Sequence, residues 1–239
     1  MRADGIIEGG DGTNDTKLFA TTKHFEIQFK NIFKKCWMEF ANACPNQTEL
    51  IMLTMSRRNG FENRMGIRQT WMNDSVPGEV IRFLIADAED GEANDVQQKL
   101  EEEQAKHGDL VFLHGFIDIY AHLHLKMYGG FEWQQSFCAN ANWVMKVDDD
   151  ALVHLRPAKI DGFYLDDVLY TGILAELANV TLSDQEKHLM WRFDFDDWSG
   201  ECEDGEVPMP TAFWVIGTTL GDFEDQYGRL KSLTCKNTH

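Results

Sequence analysis

The sequence predicts an α/β fold, a mainly parallel sheet flanked by helices in a single domain, and three observations carry that prediction. Short apolar, β-favouring runs alternate with helix-favouring segments between residues 49 and 148, the order from which parallel sheets are built. At 239 residues and 43% hydrophobic side chains, the chain is long and apolar enough for one full-sized core. No internal repeat or low-complexity block divides it.

Residues 1–20, rich in Gly and Asp, read as a flexible tail. From His24 onward Phe25, Phe29, Ile32, Phe33, Cys36, Trp37 and Phe40 recur at helical spacing, with Lys30, Lys34 and Lys35 mostly off that stripe. Residues 21–45 are therefore expected to form an amphipathic helix, a stem that packs on the next domain or lies on a membrane surface. Pro45 ends it, and the domain proper is expected over 46–239. Residues 49–56, with Leu50, Ile51, Met52 and Leu53, read as a buried strand. A helix over 61–71, a strand over 80–86, a helix over 95–107 and a strand over 110–113 follow. Residues 119–139 have mixed periodicity but read as largely helical despite Gly129-Gly130, and lead into a strand that ends at Asp148. After Pro157 the pattern weakens: 164–174 is a candidate strand, and 193–205 an acidic, aromatic loop.

Composition excludes several classes of function. A net charge of −18, from 40 acidic and 22 basic residues, opposes nonspecific binding to nucleic acid or anionic lipid. Cys36, Cys44, Cys138, Cys202 and Cys235 are too few and too scattered for a disulfide scaffold, and no C-x-x-C pair suggests zinc. Four N-x-[ST] sequons, at Asn14, Asn46, Asn73 and Asn179, hint at secretion. Residues 1–17 nevertheless lack an apolar signal core, and no run approaches the roughly 20 apolar residues of a membrane span, so the chain by itself reads as soluble and untargeted.

Asp148-Asp149-Asp150 is the most informative feature. A triplet of acids means little alone, since Glu101-Glu102-Glu103 forms another within a polar, helix-favouring segment where solvated carboxylates cost almost nothing. The Asp triplet instead interrupts apolar chain, after Val144, Met145 and Val147 and before Ala151-Leu152-Val153. Carboxylates at positions 148 and 150 of extended chain lie about 7 Å apart and repel by about 2 kcal/mol, a penalty that a bound cation reverses. Strand ends in α/β sheets are also where ligands bind. Asp194-Phe195-Asp196 is a rival pair with no apolar strand to deliver it. Arg57, Arg58, Arg64 and Arg68 cluster just past the first apolar strand; Arg64 and Arg68, spaced i, i+4, share a helix face that can meet a diphosphate or pair with surface acids.

Ser56 … Arg64-Met-Gly-Ile67-Arg68-Gln-Thr70-Trp71, then Asp118-Ile-Tyr120 … Leu123 … Leu125-Lys126 … Trp133 … Cys138, then Lys146-Val-Asp148-Asp149-Asp150, together resemble the β-1,3-galactosyltransferase family, glycosyltransferase family 31. The likeness covers about residues 44–155, with Cys44 where many members carry a cysteine, and three motifs in one order are far more specific than any one. It implies a GT-A-like fold and inverting transfer of a hexose, galactose first, from a UDP-sugar to a glycan acceptor hydroxyl on protein or lipid, in β-1,3 linkage. It also implies Mn²⁺ or Mg²⁺ as cofactor and the lumenal side of the Golgi membrane, with membrane contact only through an anchor not present in this chain. By the family pattern Asp148 faces ribose or sugar hydroxyls and shares the metal with Asp150, while Asp149 belongs to the substrate side. Arg64 and Arg68 would then be substrate-binding. The family's Y-P-x-Y segment is not intact around Val207-Pro208-Met209-Pro210, and its E-D-V-x-x-G segment is only echoed by Glu224-Asp225-Gln226-Tyr227-Gly228. Asp225 is the candidate catalytic base. The departures leave open a relative that binds nucleotide sugar or a partner without turnover.

Overall fold

The computed structural model describes residues 21–29, 32–40, 42–93, 95–153, 155, 189–190, 202–203, 207–208, 212–214, 217 and 219–234. Its centre is a six-stranded sheet in the order β1-β2-β5-β4-β3-β6. The strands are β1 (Thr21–Phe29), β2 (Ile32–Phe40), β3 (Leu50–Met55), β4 (Glu79–Asp87), β5 (Leu110–Ile117) and β6 (Trp143–Asp148). β5, β4, β3 and β6 run parallel, while β1 and β2 form an antiparallel hairpin added beside β5. Helices α1 (Phe61–Gln69), α2 (Val96–His107) and α3 (Leu123–Phe137) make the crossovers between the parallel strands, and α4 (Leu220–Lys231) packs against α1. A small sheet of β7 (Ala151–Val153), β8 (Leu189–Met190) and β11 (Ala212–Trp214), ordered β7-β11-β8, continues from β6, and β9 (Cys202–Glu203) pairs with β10 (Val207–Pro208).

Two apolar layers sandwich the sheet, and the period-two alternation of its strands assigns each side chain to one of them. Met52, Ile81, Phe83, Ile85 and Val147 meet Ile67, Leu100, Phe223 and Leu230 from α1, α2 and α4, and Trp71 from the turn after α1. Ile51, Leu53, Leu84, Val111 and Leu113 meet Leu125, Met127 and Trp133 of α3 on the other face. Gly129-Gly130, which resemble a helix breaker, let α3 approach the sheet. A Cβ on Gly130 would stand 2.5 Å from Leu84 Cδ1, and one on Gly129 would stand 2.9 Å from Leu113 Cδ1. Gly66 serves the same purpose for α4, since a Cβ there would meet the Phe223 ring at 2.4 Å.

The amphipathic helix expected over 21–45 is instead the β1–β2 hairpin. Ile27 and Met38, which the helical stripe left out, are 1% and 0% exposed, and with Phe25, Cys36 and Phe40 they complete a period-two face. The aromatic residues occupy both faces of the hairpin, leaving Phe33 and Trp37 exposed, and this produced the false helical spacing. The hairpin is hydrogen-bonded to β5, so it belongs to the central sheet and is not a separate stem. The other predicted elements from 49 to 148 appear within a few residues of the expected limits, with β5 longer than its apolar run and a 3₁₀ turn, Tyr120–His122, opening α3. The expected tail over 1–20 and candidate strand over 164–174 lie outside the described residues. The expected loop over 193–205 is described only at Cys202–Glu203, which are strand.

Cys44, ahead of β3, is disulfide-bonded to Cys138, after α3, across 94 residues of chain, while Cys36 is a buried free thiol. Replacing both Cys44 and Cys138 by Ser is expected to lower unfolding stability by about 2–5 kcal/mol, read as an earlier midpoint in urea.

Candidate functional site

β3 and β6 are neighbours, yet the chain winds from β3 through β4 to β5 on one side and places β6 on the other. The crevice outside their carboxyl ends is thus a topological switch point, the usual ligand position in open α/β sheets. Met55 pairs with Asp148 in register, and the Asp149 N–H donates to the Met55 carbonyl at 3.2 Å. Residues 56–58 after β3 therefore face the Asp triplet after β6.

Ser56 is the hub of this corner. Its hydroxyl donates to Asp149 Oδ2 at 2.9 Å and accepts from Arg64 Nη1 at 2.9 Å, while its carbonyl accepts from Lys126 Nζ at 2.9 Å. Asp149 also accepts the Arg57 backbone N–H at 3.1 Å, and its own carbonyl accepts from Asn63 Nδ2 at 3.1 Å. Lys126 is ion-paired with Asp118, whose second oxygen accepts the Ala86 N–H at 3.0 Å. Trp71 Nε1 donates to the Ala151 carbonyl at 3.2 Å. The three motif segments, from α1, the turn before α3 and the end of β6, thus converge on one short loop. Burial pushes the Lys126 ammonium down against the pull of Asp118. Burial likewise raises the Asp149 carboxyl despite the hydrogen bonds from Arg57 and Ser56.

The arginines are placed differently from expectation. Arg64 is fully buried: Nε and Nη2 grip Glu103 at 2.9 and 2.7 Å, Nη1 donates to the Arg57 carbonyl at 2.6 Å, and Nη2 reaches the Arg58 carbonyl at 3.3 Å. Arg68 holds Asp109 with Nε and Nη2 at 2.8 and 2.7 Å and Glu103 with Nη1 at 2.5 Å. The i, i+4 spacing does put both on one face, but that face is covered by acids from α2 and the start of β5, so neither guanidinium is presented to a diphosphate. Glu103, in turn, is largely covered although its run was expected to be solvated: its side chain is 9% exposed. Burial alone would raise its carboxyl, but the hydrogen bonds and charges of Arg64 and Arg68 outweigh this and hold it below the usual range. Arg58 is also buried, on Glu92, Gln97 and the Ala86 carbonyl. Of the four clustered arginines, Arg57 is the one with an exposed side chain.

The triplet divides into two roles. Asp149, expected on the substrate side, is buried and engaged by Ser56 and Arg57, so it positions the loop. Asp148 and Asp150 are half-buried at the crevice, with Lys146 Nζ 3.1 Å from Asp148 Oδ1. Among the described residues no group of three or more His, Cys, Asp or Glu side chains forms a metal cage. Two hard carboxylates nevertheless fit Mg²⁺ or Mn²⁺, which take one or two protein oxygens and complete their shell with substrate phosphates and water.

Asp225 lies on α4, where Phe223, Tyr227 and Leu230 form the buried face. Two residues from Phe223 is about 200° around the helix, so Asp225 is exposed on the outer side, and among the described residues no hydrogen bond or ion pair ties it to the Asp148–Asp150 corner. Asp194 and Asp196 lie outside the described residues. Sequence reading placed Ser56, Asp118 and Lys126 within the motifs but gave them no role, and it missed the Lys126–Asp118 pairing. A signal for the pair exists: Lys126 stands between Leu125 and Met127 in an apolar helix, where an ammonium needs an acid.

A parallel sheet with an acidic strand end and an exposed arginine at its switch point defines an α/β protein of GT-A-like architecture. Residues 62–171 match the family described as galactosyltransferase, a stretch that takes in nearly all of α1, Asp118, Lys126 and the Asp triplet but not Ser56 or Arg57, and the chain resembles that family there. It is 31% identical over 133 residues, 54% of this chain and 40% of the relative, to UDP-GalNAc:beta-1,3-N-acetylgalactosaminyltransferase 1 of Rattus norvegicus. It is 32% identical over 107 residues, 44% of this chain and 34% of the relative, to human beta-1,3-galactosyltransferase 5. It is 27% identical over 137 residues, 54% of this chain and 35% of the relative, to human lactosylceramide 1,3-N-acetyl-beta-D-glucosaminyltransferase. The chain thus spans two fifths or less of the length of these curated relatives.

Ser56→Ala is expected to destabilise the fold by about 1–3 kcal/mol, because Asp149 loses a buried donor and Arg64 an acceptor; chemical denaturation measures it. Glu103 contributes stability that is full above its unfolded pKa and lost as pH falls through its lowered folded value. The acid limb of stability against pH is accordingly expected to be shallower in Glu103→Gln, with a lower plateau at neutral pH.

Proposed function

We propose that this chain carries the donor-binding half of a metal-dependent, inverting transferase. It moves a hexose from a UDP-sugar to a glycan acceptor hydroxyl in β-1,3 linkage, on protein or lipid, at the lumenal side of the Golgi membrane. The observation that carries the reading is the convergence of three separate family-like motifs on one switch-point crevice. In this reading Asp148 meets ribose or sugar hydroxyls, Asp148 and Asp150 hold Mn²⁺ or Mg²⁺, and Arg57 takes the diphosphate role first expected of Arg64 and Arg68. The metal, when bound, supplies charge stabilisation to the departing UDP. The buried Ser56, Asp149, Arg64 and Lys126 position the loop that carries Arg57. Tyr120, 90% exposed just past Asp118, offers an aromatic face at the same sheet edge. The Cys44–Cys138 disulfide and the sequons support an oxidising secretory compartment. Among the described residues no helix is long and apolar enough to cross a membrane. The relatives' names cover galactose, N-acetylgalactosamine and N-acetylglucosamine at similar identity, so UDP-galactose is the first of three donors to test.

Asp225 stays the sequence-based candidate for the acceptor base, although it is exposed on the outer side of α4. That placement favours the second reading, a relative that binds nucleotide sugar without turnover. Calorimetry with UDP is expected to give Mn²⁺-dependent binding that weakens roughly tenfold or more in both Asp150→Ala and Arg57→Ala. Metal-independent binding, or Asp150→Ala binding as well as the parent, would count against the site. Hydrolysis or transfer from UDP-galactose that disappears in Asp225→Asn would exclude the non-catalytic reading.

A further inference from the structure

We propose that Asn46 and Asn73 carry N-linked glycans on the amino-terminal edge of the sheet, opposite the donor crevice, and that each is attached before its surroundings fold. The proposal rests on the lumenal part of the reading above, and on nothing in its catalytic part. Asn46-Gln47-Thr48 and Asn73-Asp74-Ser75 both satisfy the acceptor pattern. Both asparagines are exposed and both lie in turns, one ahead of β3 and one between α1 and β4. β3 and β4 run parallel, so their leading turns share one sheet edge, about 20 Å of strand away from the end of β3 beside Asp148. Glycans there would clothe the amino edge and leave the crevice open. Cys44, two residues before Asn46, is in a disulfide, which requires the same oxidising lumen in which such glycans are added.

The folded surroundings set the order of events. Thr48 is 2% exposed, with its hydroxyl donated to the Pro45 carbonyl at 2.8 Å, so the Asn46 sequon is closed in the native turn. The Cys44 N–H donates to the Phe137 carbonyl at 3.0 Å and Asn140 Nδ2 to the Pro45 carbonyl at 3.0 Å, closing it further. Asp74, in the middle of the second sequon, accepts from Tyr227 Oη at 2.8 Å and Lys231 Nζ at 2.7 Å. These partners come late in the chain. Cys138 follows Cys44 by 94 residues, and Tyr227 follows Asp74 by 153. At about 5–20 residues per second the sequons are exposed for about 5–20 s and 8–30 s before their partners are made. In that interval the asparagine Nδ2 attacks the anomeric carbon of a lipid-diphosphate-linked oligosaccharide. A C–N bond forms, the C–O bond to the diphosphate breaks, the amide gives up one proton, and the lipid diphosphate leaves.

The test uses the full chain secreted from a eukaryotic host behind a cleavable leader. Glycans are removed by peptide N-glycosidase in heavy-oxygen water, and peptides are weighed. Asn46 and Asn73 are expected to appear as heavy-oxygen-labelled Asp, and Asn46→Gln and Asn73→Gln are each expected to lose one glycan step on a gel. Unmodified asparagine at either position in disulfide-bonded, secreted protein overturns the assignment of that site. Unglycosylated folded protein offered to oligosaccharyltransferase is expected to stay unmodified at Asn46, while a peptide of residues 42–50 is glycosylated; equal modification of both overturns the order of events. UDP affinity is expected to be unchanged by deglycosylation, and a change of threefold or more overturns the edge placement. Lack of UDP binding in both forms would count against the donor reading alone, since occupancy is read from the peptide masses.

Discussion

The candidate site depends on the Ser56 hydroxyl, held between the Arg64 guanidinium and the Asp149 carboxylate in a corner closed to water. A buried hydroxyl is neutral, yet it donates to the acid and accepts from the base, so two buried ions are coupled without direct contact. Each charge is then compensated again: Arg64 by Glu103, and Asp149 by the Arg57 N–H. Removing one partner would leave an uncompensated ion in a dry interior, which is far more costly than never having buried either. The loop after β3 therefore has one conformation open to it. Its exposed residue, Arg57, and its neighbours across the crevice, Asp148 and Asp150, inherit that fixity.

The rest of the fold can be read as what lets so acidic a chain bury so many charges. Forty acids against 22 bases leave few cations to distribute. Three of the four clustered arginines and Lys126 go inside, against Glu92, Glu103, Asp109 and Asp118. These contacts tie α1 to α2 and to the start of β5, and the turn before α3 to α3 itself, whose Lys126 reaches the loop after β3. Packing completes the arrangement, with Gly129 and Gly130 letting α3, which carries Lys126, lie close on the sheet, and Gly66 letting α4 lie close on α1.

From Leu50 to Asp148 nearly every element was legible in the sequence, because buried parallel strands write continuous apolar runs and the crossovers between them are helical. The hairpin was not, because aromatic residues on both faces of a half-exposed pair imitate a helical stripe, and Ile27 and Met38 are too few to break the imitation. At the site, the position of the triplet after an apolar strand was legible. The division of labour within it was not. Which of three adjacent aspartates points inward depends on pairing register with β3, and register is a property of two strands that one strand does not encode. The arginines show the same limit: spacing reveals a shared face, but Glu103 and Asp109, which cover that face, are 35 and 41 residues away from Arg68.

Cys44 and Cys138 stand just before the two strands that deliver the facing loops, β3 and β6, and the Trp143 N–H donates to the Glu49 carbonyl at 2.9 Å. These two strands are thus riveted at their roots. A hinge at that end would swing their tips apart, and the covalent link removes it. Under the proposed function, room for a nucleotide would then come from side-chain rotation at Arg57, Asp148 and Asp150, with the strand scaffold as a fixed anvil beneath them.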